Sequence, residues 1–173
     1  IVVDNRLIKR QISDIFAESY QERKIPIEFV DCPVSVFESY GFEQKIIDLY
    51  LTTIELPSGG KIAIEETAAC VAVDIDSGRY LGGRGEESSA FAVNQEAACE
   101  VARQITLRNL SGQIIIDFLP MKKKQNSHKI QEILYSKLKE DSRCQFYGFS
   151  KLGLFELIRE RVGESLNSRH YMK

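Results

Sequence analysis

Short apolar runs with the two-residue period of a β-strand alternate along this chain with longer stretches that have the period of a helix. The runs TTIEL and KIAIEE, joined by PSGG at 57–60, predict a β-hairpin with a glycine-containing turn. Two further apolar runs, at 69–74 and 113–118, predict buried strands on either side of a long helix. This alternation predicts an α/β fold with a layered mixed sheet and flanking helices.

The stretch between the two buried strands carries the signals that begin and end a helix. Ser88 or Ser89 is expected to cap its first turn, and Asn109 and Gly112 are expected to stop it. The apolar stripe of this helix consists of Phe91, Ala98, Val101, Ala102 and Ile105.

Both ends of the chain contain further predicted elements. We expect strands at 1–3, at 27–30 and near Phe146, and helices at 42–51 and 154–161. Two more helices are indicated by the apolar positions Ile8, Ile12, Ile15 and Phe16 and by Ile130, Ile133, Leu134 and Leu138.

The composition is that of a soluble globular domain. The chain has 173 residues, of which 43% are hydrophobic and 28% are charged. Its apolar runs are too short to cross a bilayer, and no secretory signal is visible at its start. The formal net charge is only −2, so any affinity for nucleic acid must come from local groups.

The four cysteines lie far apart, and none belongs to a Cys-x-x-Cys pair, so no zinc site of that spacing is expected. Cys70 and Cys99 fall within apolar patterns, and we expect them to be reduced core residues. Nothing in this cysteine usage indicates an oxidising compartment, which favours a cytoplasmic location. The chain begins in a strand-like run without an initiator Met, which suggests a piece of a longer protein.

Each of the two buried strand patterns, CVAVD and QIIID, runs directly into an aspartate. Ligands bind at the carboxyl ends of strands in layered α/β domains, so Asp74 and Asp117 can converge there. Asp76 follows two residues after Asp74 and can point the same way. Such carboxylates suit Mg²⁺ or Mn²⁺, and an ion held there can activate water against a phosphodiester. A turn or a helix cap is the alternative role for each aspartate, and the pattern alone leaves both open.

Two groups of basic residues flank this predicted site. Arg79 and Arg84 lie in the loop after Asp76, and Lys122, Lys123 and Lys124 follow shortly after Asp117. Both groups could hold phosphates of a nucleic acid. A solvated lysine run at the start of a helix is the alternative for the second group.

Other kinds of active site have weaker support. A metal-free ribonuclease with two catalytic histidines would need convergent imidazoles, and the chain has only His128 and His170. The serine nucleophile elbow and the phosphate-binding P-loop are both missing from the sequence. A phosphatase with Asp74 as nucleophile would need a downstream lysine and a further acidic pair, and neither occurs in a convincing context.

Three stretches carry a resemblance to a known family: LPSGGKIAIEETAACVAVDIDSGR, AFAVNQEAACEVARQITLRNLSGQIIIDF and SKLGLFELIRER. In order and spacing they resemble the ribonuclease E/G family. The resemblance implies a metal-dependent endoribonuclease that cuts single-stranded, AU-rich RNA, leaves 5′-phosphate and 3′-hydroxyl ends, and acts in RNA decay and ribosomal RNA maturation. It also implies that Asp74 and Asp117 bind Mg²⁺, and that Asp76 stands where the family usually has an Asn that orients the ion or the attacking water.

The same resemblance implies a division of the chain into subdomains. Residues 1–48 resemble the end of a ribonuclease-H-like segment, residues 49–165 a deoxyribonuclease-I-like catalytic subdomain, and residues 166–173 form a tail. The family's S1 domain, its 5′-end sensor and its zinc-linking cysteine pair have no counterpart here. A homo-oligomer would therefore not use a zinc link.

Two departures from the family pattern bear on activity. Asp76 replaces the usual Asn and adds a negative charge, and Pro120 stands where the family usually has Asp. A catalytically degenerate RNA-binding or scaffold homologue is the alternative to an active enzyme: the missing RNA-gripping domains support it, and the retained Asp74 and Asp117 argue against it.

Overall fold

The computed structural model describes residues 1–19, 25–78 and 85–170. The chain divides into two compact units, Ile1–Asp48 and Leu49–Lys173. None of the helices within the described ranges is both long and apolar enough to cross a membrane.

The first unit is small and has little interior of its own. Its elements are β1 (Val2–Val3), α1 (Arg6–Ser19), β2 (Glu28–Phe29), α2 (Val36–Ser39) and α3 (Glu43–Asp48), with β1 and β2 paired in parallel. Asn5 begins α1, because its side-chain oxygen accepts hydrogen bonds from the amides of Leu7 and Ile8. Among the described residues of this unit no side chain is fully buried, and Ile8 and Ile15 are largely exposed.

The second unit is built on a six-stranded mixed sheet in the order β3-β4-β5-β6-β8-β7. β5 and β6 are parallel, and the other neighbours in this sheet are antiparallel. The strands are β3 (Thr53–Glu55), β4 (Lys61–Glu66), β5 (Val71–Asp76), β6 (Gly112–Asp117), β7 (Cys144–Phe149) and β8 (Phe155–Arg159). This confirms the predicted layered mixed sheet with flanking helices.

Two helices, α4 (Glu86–Leu107) and α5 (Lys124–Leu138), supply the apolar side chains that cover one face of the sheet. The strands alternate between buried and exposed residues, as the two-residue period requires. The buried core includes Ile62, Ile64, Val73, Ile75, Val93, Val101, Ile105, Ile114, Ile116, Ile130, Leu134, Phe155 and Leu157. The alternate residues of β5 and β6 point to the opposite face, where their polar side chains are exposed.

The prediction of a helix at 154–161 is wrong, because this stretch contains strand β8 instead. A turn at 150–153 reverses the chain: the amide of Ser150 donates to the carbonyl of Leu154, and Gly153 has φ +88°. Phe155, Leu157 and Arg159 are then buried at every second position, which is the period of a strand. The short helix α6 (Leu166–His170) follows later.

Three smaller predictions also need correction. β5 continues to Asp76 rather than ending at Asp74, because its ladder with β4 extends to the pair Lys61 and Asp76. α4 begins at Glu86, so neither Ser88 nor Ser89 caps it, and the N-cap is Gly85. Cys99 lies on the exposed side of α4 and is not a core residue.

A buried ion pair ties the ends of several elements together in the second unit. Arg159 is 1% exposed, and its Nε donates to Oδ2 of Asp141 at 2.8 Å. Its NH1 donates to the side chain of Asn109 and to the carbonyl of Leu110. Hydrogen bonds from the Arg143 side chain, together with those from Arg159, hold the pKa of Asp141 well below its usual range.

Candidate functional site

Asp74 and Asp117 are direct partners across the parallel pair β5 and β6. Neighbouring strands lie about 4.8 Å apart, so the backbones of the two residues are adjacent. Both residues are exposed, and they alternate with the buried Val73, Ile75 and Ile116, which places them on the sheet face opposite α4 and α5. The fold thus brings together the two aspartates that the sequence singled out.

Asp76 lies on the same face as Asp74, two residues further along β5. Its Oδ1 accepts a hydrogen bond from the amide of Gly78 at 2.9 Å, which is the geometry of an Asx turn. Gly78 has φ +58°, a conformation that side-chain-bearing residues rarely adopt. The carboxylate of Asp76 therefore helps to shape the turn that leaves β5.

The PSGG turn of the β3–β4 hairpin packs against this end of β5. The amide of Ser58 donates to Oε2 of Glu96 on α4 at 2.9 Å. A Cβ added to Gly60 would lie 2.9 Å from Cγ1 of Val93 and 3.0 Å from the carbonyl oxygen of Asp76, which is too close for a side chain. The hairpin turn, the end of β5 and α4 are thus packed together with no room for larger residues.

The chain after Asp117 is held against α4 by a buried amide. Asn94 is fully buried; its Nδ2 donates to the carbonyl of Leu119 at 2.9 Å, and its Oδ1 accepts from the amide of Leu119 at 3.0 Å. Both polar groups of Asn94 are satisfied by the backbone of one residue, as a buried amide requires. This pair fixes the path of the chain immediately beyond β6.

Glu87, in the first turn of α4, binds the next part of this segment. Its carboxylate accepts from the amides of Lys122 at 2.7 Å and Lys123 at 3.1 Å, and from Nδ2 of Asn126 at 2.7 Å. The hydrogen bond from the Lys122 amide is the main cause that lowers the pKa of Glu87, and the other two donors add to it. The partners lie more than thirty residues away along the chain, so no local sequence pattern indicates this role.

The structure describes only one of the two groups of basic residues that were predicted to hold phosphates. Lys122, Lys123 and Lys124 are exposed where the chain enters α5. Arg79 and Arg84 lie outside the described residues. His128, one of the two histidines in the chain, is exposed on α5 and lies 3.4 Å from Glu132.

The possible metal ligands that face each other across β5 and β6 are the two carboxylates of Asp74 and Asp117. Within the described residues, no group of three or more His, Cys, Asp and Glu side chains is placed to hold a metal ion. Glu156 is on β8, where its register partner is Ile115 of β6, so it is a diagonal neighbour of Asp117. Because a helix was predicted at 154–161, the sequence did not indicate that Glu156 lies on the same face as Asp74, Asp76 and Asp117.

Comparison with known proteins places the whole arrangement in a family. The model of the "Ribonuclease E/G family" matches residues 1–162. The chain belongs to the ribonuclease E/G family. It is 35% identical over 167 residues to Ribonuclease G of Salmonella typhimurium (strain SL1344), and 34% identical over 175 residues to Ribonuclease E of Escherichia coli (strain K12). It is also 37% identical over 170 residues to the Putative ribonuclease E of Buchnera aphidicola subsp. Baizongia pistaciae (strain Bp).

These ribonuclease E/G relatives are much longer than this chain. The alignments cover 96%, 99% and 96% of this chain, but only 34%, 16% and 41% of the respective relatives. The chain therefore spans about a third of ribonuclease G and about a sixth of ribonuclease E. The family membership confirms the resemblance found in the sequence.

Proposed function

We propose that this chain carries the catalytic site of a metal-dependent endoribonuclease, with Asp74 and Asp117 as the ligands of a Mg²⁺ ion. The observation that supports the proposal is the pairing of these two exposed aspartates across parallel strands in a member of the ribonuclease E/G family. The substrate is single-stranded, AU-rich RNA, and the products carry 5′-phosphate and 3′-hydroxyl ends.

The donor set fits Mg²⁺, or Mn²⁺ in its place. Mg²⁺ is usually bound by one or two carboxylates and keeps several waters, so a pair without a third protein ligand is sufficient. An open, exposed face also leaves room for a phosphate beside the ion. When bound, the ion would lower the pKa of a water and offset charge on the phosphodiester.

The residues of the chain itself have separate tasks in this proposal. Asp74 and Asp117 supply the negative oxygens, and their positions on adjacent strands fix the spacing between them. Asp76, anchored through Oδ1 to the amide of Gly78, orients water next to the pair. Lys122, Lys123 and Lys124, together with Arg79 and Arg84, hold the RNA phosphates.

Membership of the family also supports a proposal for the subdomains and the cellular role. Residues 49–165 would form the deoxyribonuclease-I-like catalytic subdomain, and residues 1–48 the end of a ribonuclease-H-like segment. We expect the protein to act in the cytoplasm in RNA processing and decay, including ribosomal RNA maturation.

A cleavage assay tests the proposal. Labelled AU-rich single-stranded RNA is incubated with the wild type and with Asp117→Asn, in Mg²⁺, in Mn²⁺ and in chelator. We expect cleavage with either metal, none with chelator, and a loss of about a hundredfold or more in the variant, because a few kcal/mol of transition-state stabilisation depend on the ion. Equal rates for wild type and variant would contradict the proposal and point to another site or a contaminating nuclease.

The presence of Asp76 where the family usually has Asn favours one second candidate, a degenerate RNA-binding or scaffold homologue. The additional negative charge of Asp76 at this face would repel the phosphate whenever metal binding is weak. RNA binding without cleavage by the wild type under any metal condition, with the same result for Asp76→Asn, would support this candidate instead.

A further inference from the structure

Glu87 and Asn94 lie seven residues apart on α4, which is close to two full helical turns, so they share one face of the helix. Their partners follow each other along the segment after β6, from Leu119 through Lys122 and Lys123. The segment from Leu119 to Lys123 therefore lies along α4 and is hydrogen-bonded to it at both ends. We call this segment the strap.

The strap joins the two parts of the proposed site. Its first end follows two residues after Asp117, where Asn94 binds Leu119. Its other end contains Lys122 and Lys123, which Glu87 binds through their backbone amides. The backbone path between the metal-binding aspartate and the lysine side chains is thus set by α4.

Glu87 is a negatively charged residue next to three lysines that we propose to bind RNA, so its position there needs a reason. A carboxylate beside three lysines repels RNA phosphates, so on charge alone its presence weakens binding. The N-cap residue of α5, Lys123, makes no capping hydrogen bond with its own side chain. Glu87 accepts from the amides of Lys122 and Lys123, which directly precede α5, so an acceptor that is distant in the sequence holds the chain where this helix begins.

We propose that Glu87 is a positioning residue that orders the strap, so that Lys122, Lys123 and Lys124 lie beside Asp117 in a geometry suited to RNA phosphates. The proposal rests on the proposed function, because it assumes that these lysines contact RNA. In this role Glu87 favours RNA binding by holding the backbone amides of Lys122 and Lys123, although its negative charge by itself disfavours RNA binding. A fixed lysine run loses less conformational entropy when it binds RNA than a mobile one.

The sign of one measurement separates positioning from charge. The affinity for labelled single-stranded RNA is measured in chelator, so that no cleavage occurs, for the wild type, Glu87→Gln and the matched control Glu86→Gln. Both variants remove one negative charge in the same helical turn, and charge alone predicts tighter binding for both. We expect Glu87→Gln to bind roughly three- to tenfold more weakly, as if one or two phosphates were no longer neutralised, and Glu86→Gln to bind as tightly as wild type or tighter.

A double-mutant cycle then shows whether Glu87 acts through the lysines. The same substitution is made in a background with Lys122, Lys123 and Lys124 all replaced by Ala. If Glu87 positions the lysines, its effect on affinity disappears in that background, since interacting residues are not additive. The dependence of affinity on salt should also become shallower in Glu87→Gln, by about 0.7 in slope for each RNA phosphate that the lysines no longer neutralise.

Two outcomes would overturn the inference, and they are distinguishable. Weakening by the triple-lysine variant together with equal affinities for Glu87→Gln and Glu86→Gln would refute the positioning role alone. Unchanged affinity in the triple-lysine variant would refute the role of the lysines in the proposed function, and the inference with it. If Glu87→Gln fails to fold by circular dichroism, Asn126→Ala removes one Glu87 hydrogen bond without a change of charge. It should weaken binding in the same direction, and unaltered binding would overturn the inference.

Discussion

Removing one of the two facing carboxylates should stabilise the metal-free protein while weakening its metal binding. Asp74 and Asp117 are exposed partners on adjacent strands, and like charges directly opposite each other destabilise a sheet. Two unit charges about 5 Å apart in water repel by about 0.8 kcal/mol, and salt reduces this value. Asp117→Asn should therefore raise the free energy of unfolding by about 0.5 to 1 kcal/mol at low salt, which corresponds to a Tm increase of about 2 °C.

Thermal unfolding in chelator measures this effect, with Glu65→Gln as the control. Glu65 is exposed on the neighbouring strand β4, but its partner is Ala72, so the control removes the same charge without relieving a facing pair. We expect a clear Tm increase for Asp117→Asn and little change for Glu65→Gln. Added Mg²⁺ should then stabilise the wild type, by about 1.4 kcal/mol at ten times its Kd, and Asp117→Asn much less.

Two results would refute this reasoning. A lower Tm for Asp117→Asn than for the wild type in chelator would show that the carboxylates do not repel each other in the folded state. Equal Mg²⁺ stabilisation of the wild type and the variant would show that the ion binds elsewhere.

Three further predictions concern single residues. Asp76→Asn restores the residue usual in the family, and we expect cleavage at least as fast as that of the wild type in a Mg²⁺ titration; a large decrease would mean that the negative charge of Asp76 is needed. Asp141→Asn leaves the buried Arg159 without its anionic partner and should cost about 3 kcal/mol in denaturant unfolding. The pKa of Asp141 is lowered in the folded state, so its contribution to the free energy of unfolding is present above the ordinary carboxyl pKa and is lost as the pH falls toward the folded pKa. The stabilities of Asp141→Asn and the wild type should therefore converge in acid, and a constant difference would contradict this. Gly78→Ala should lower the Tm and the cleavage rate together, because a Cβ there would collide with the carbonyl oxygen of Gly59 and φ is +58°; normal behaviour of this variant would show that the turn is easily remodelled.

The sequence predicted the elements whose pattern is local. The β3–β4 hairpin, strands β5 and β6 and helix α4 all have a clear period of two or 3.6, and the structure contains each of them. The two aspartates were proposed as metal ligands for the same reason, because both lie at the end of an apolar run. Their register, which brings Asp74 opposite Asp117, depends on strand pairing and could not be read from either run alone.

The stretch 154–161 shows where periodicity becomes ambiguous. Leu154, Ile158 and Arg161 fit a helical spacing, while Phe155, Leu157 and Arg159 fit a strand. Pairing decides in favour of the strand. β8 pairs with β6, which is distant in the sequence, and with β7, which is joined to it by a turn. Arg159 also makes a strand hard to predict here, since a fully buried arginine is uncommon. Its burial depends on the ion pair with Asp141, which no local pattern indicates.

The roles of Glu87 and Asn94 could not be predicted because their partners are far away in the chain. Asn94 stands in the sequence as a polar interruption of a helix, and Glu87 as an acidic residue suited to the start of a helix. Only the fold shows that both bind the backbone after β6.

The pairing of β5 with β6 also has a consequence for the order of folding. The hairpins β3–β4, β4–β5 and β7–β8 join strands that are close in the sequence and can form early. The parallel pair can form only after the chain has crossed over through all of α4, which carries a larger loop-closure cost. Asp74 and Asp117 would therefore meet late, so the metal site that we propose would be missing from a partly folded chain, and metal binding there would report that this unit has finished folding.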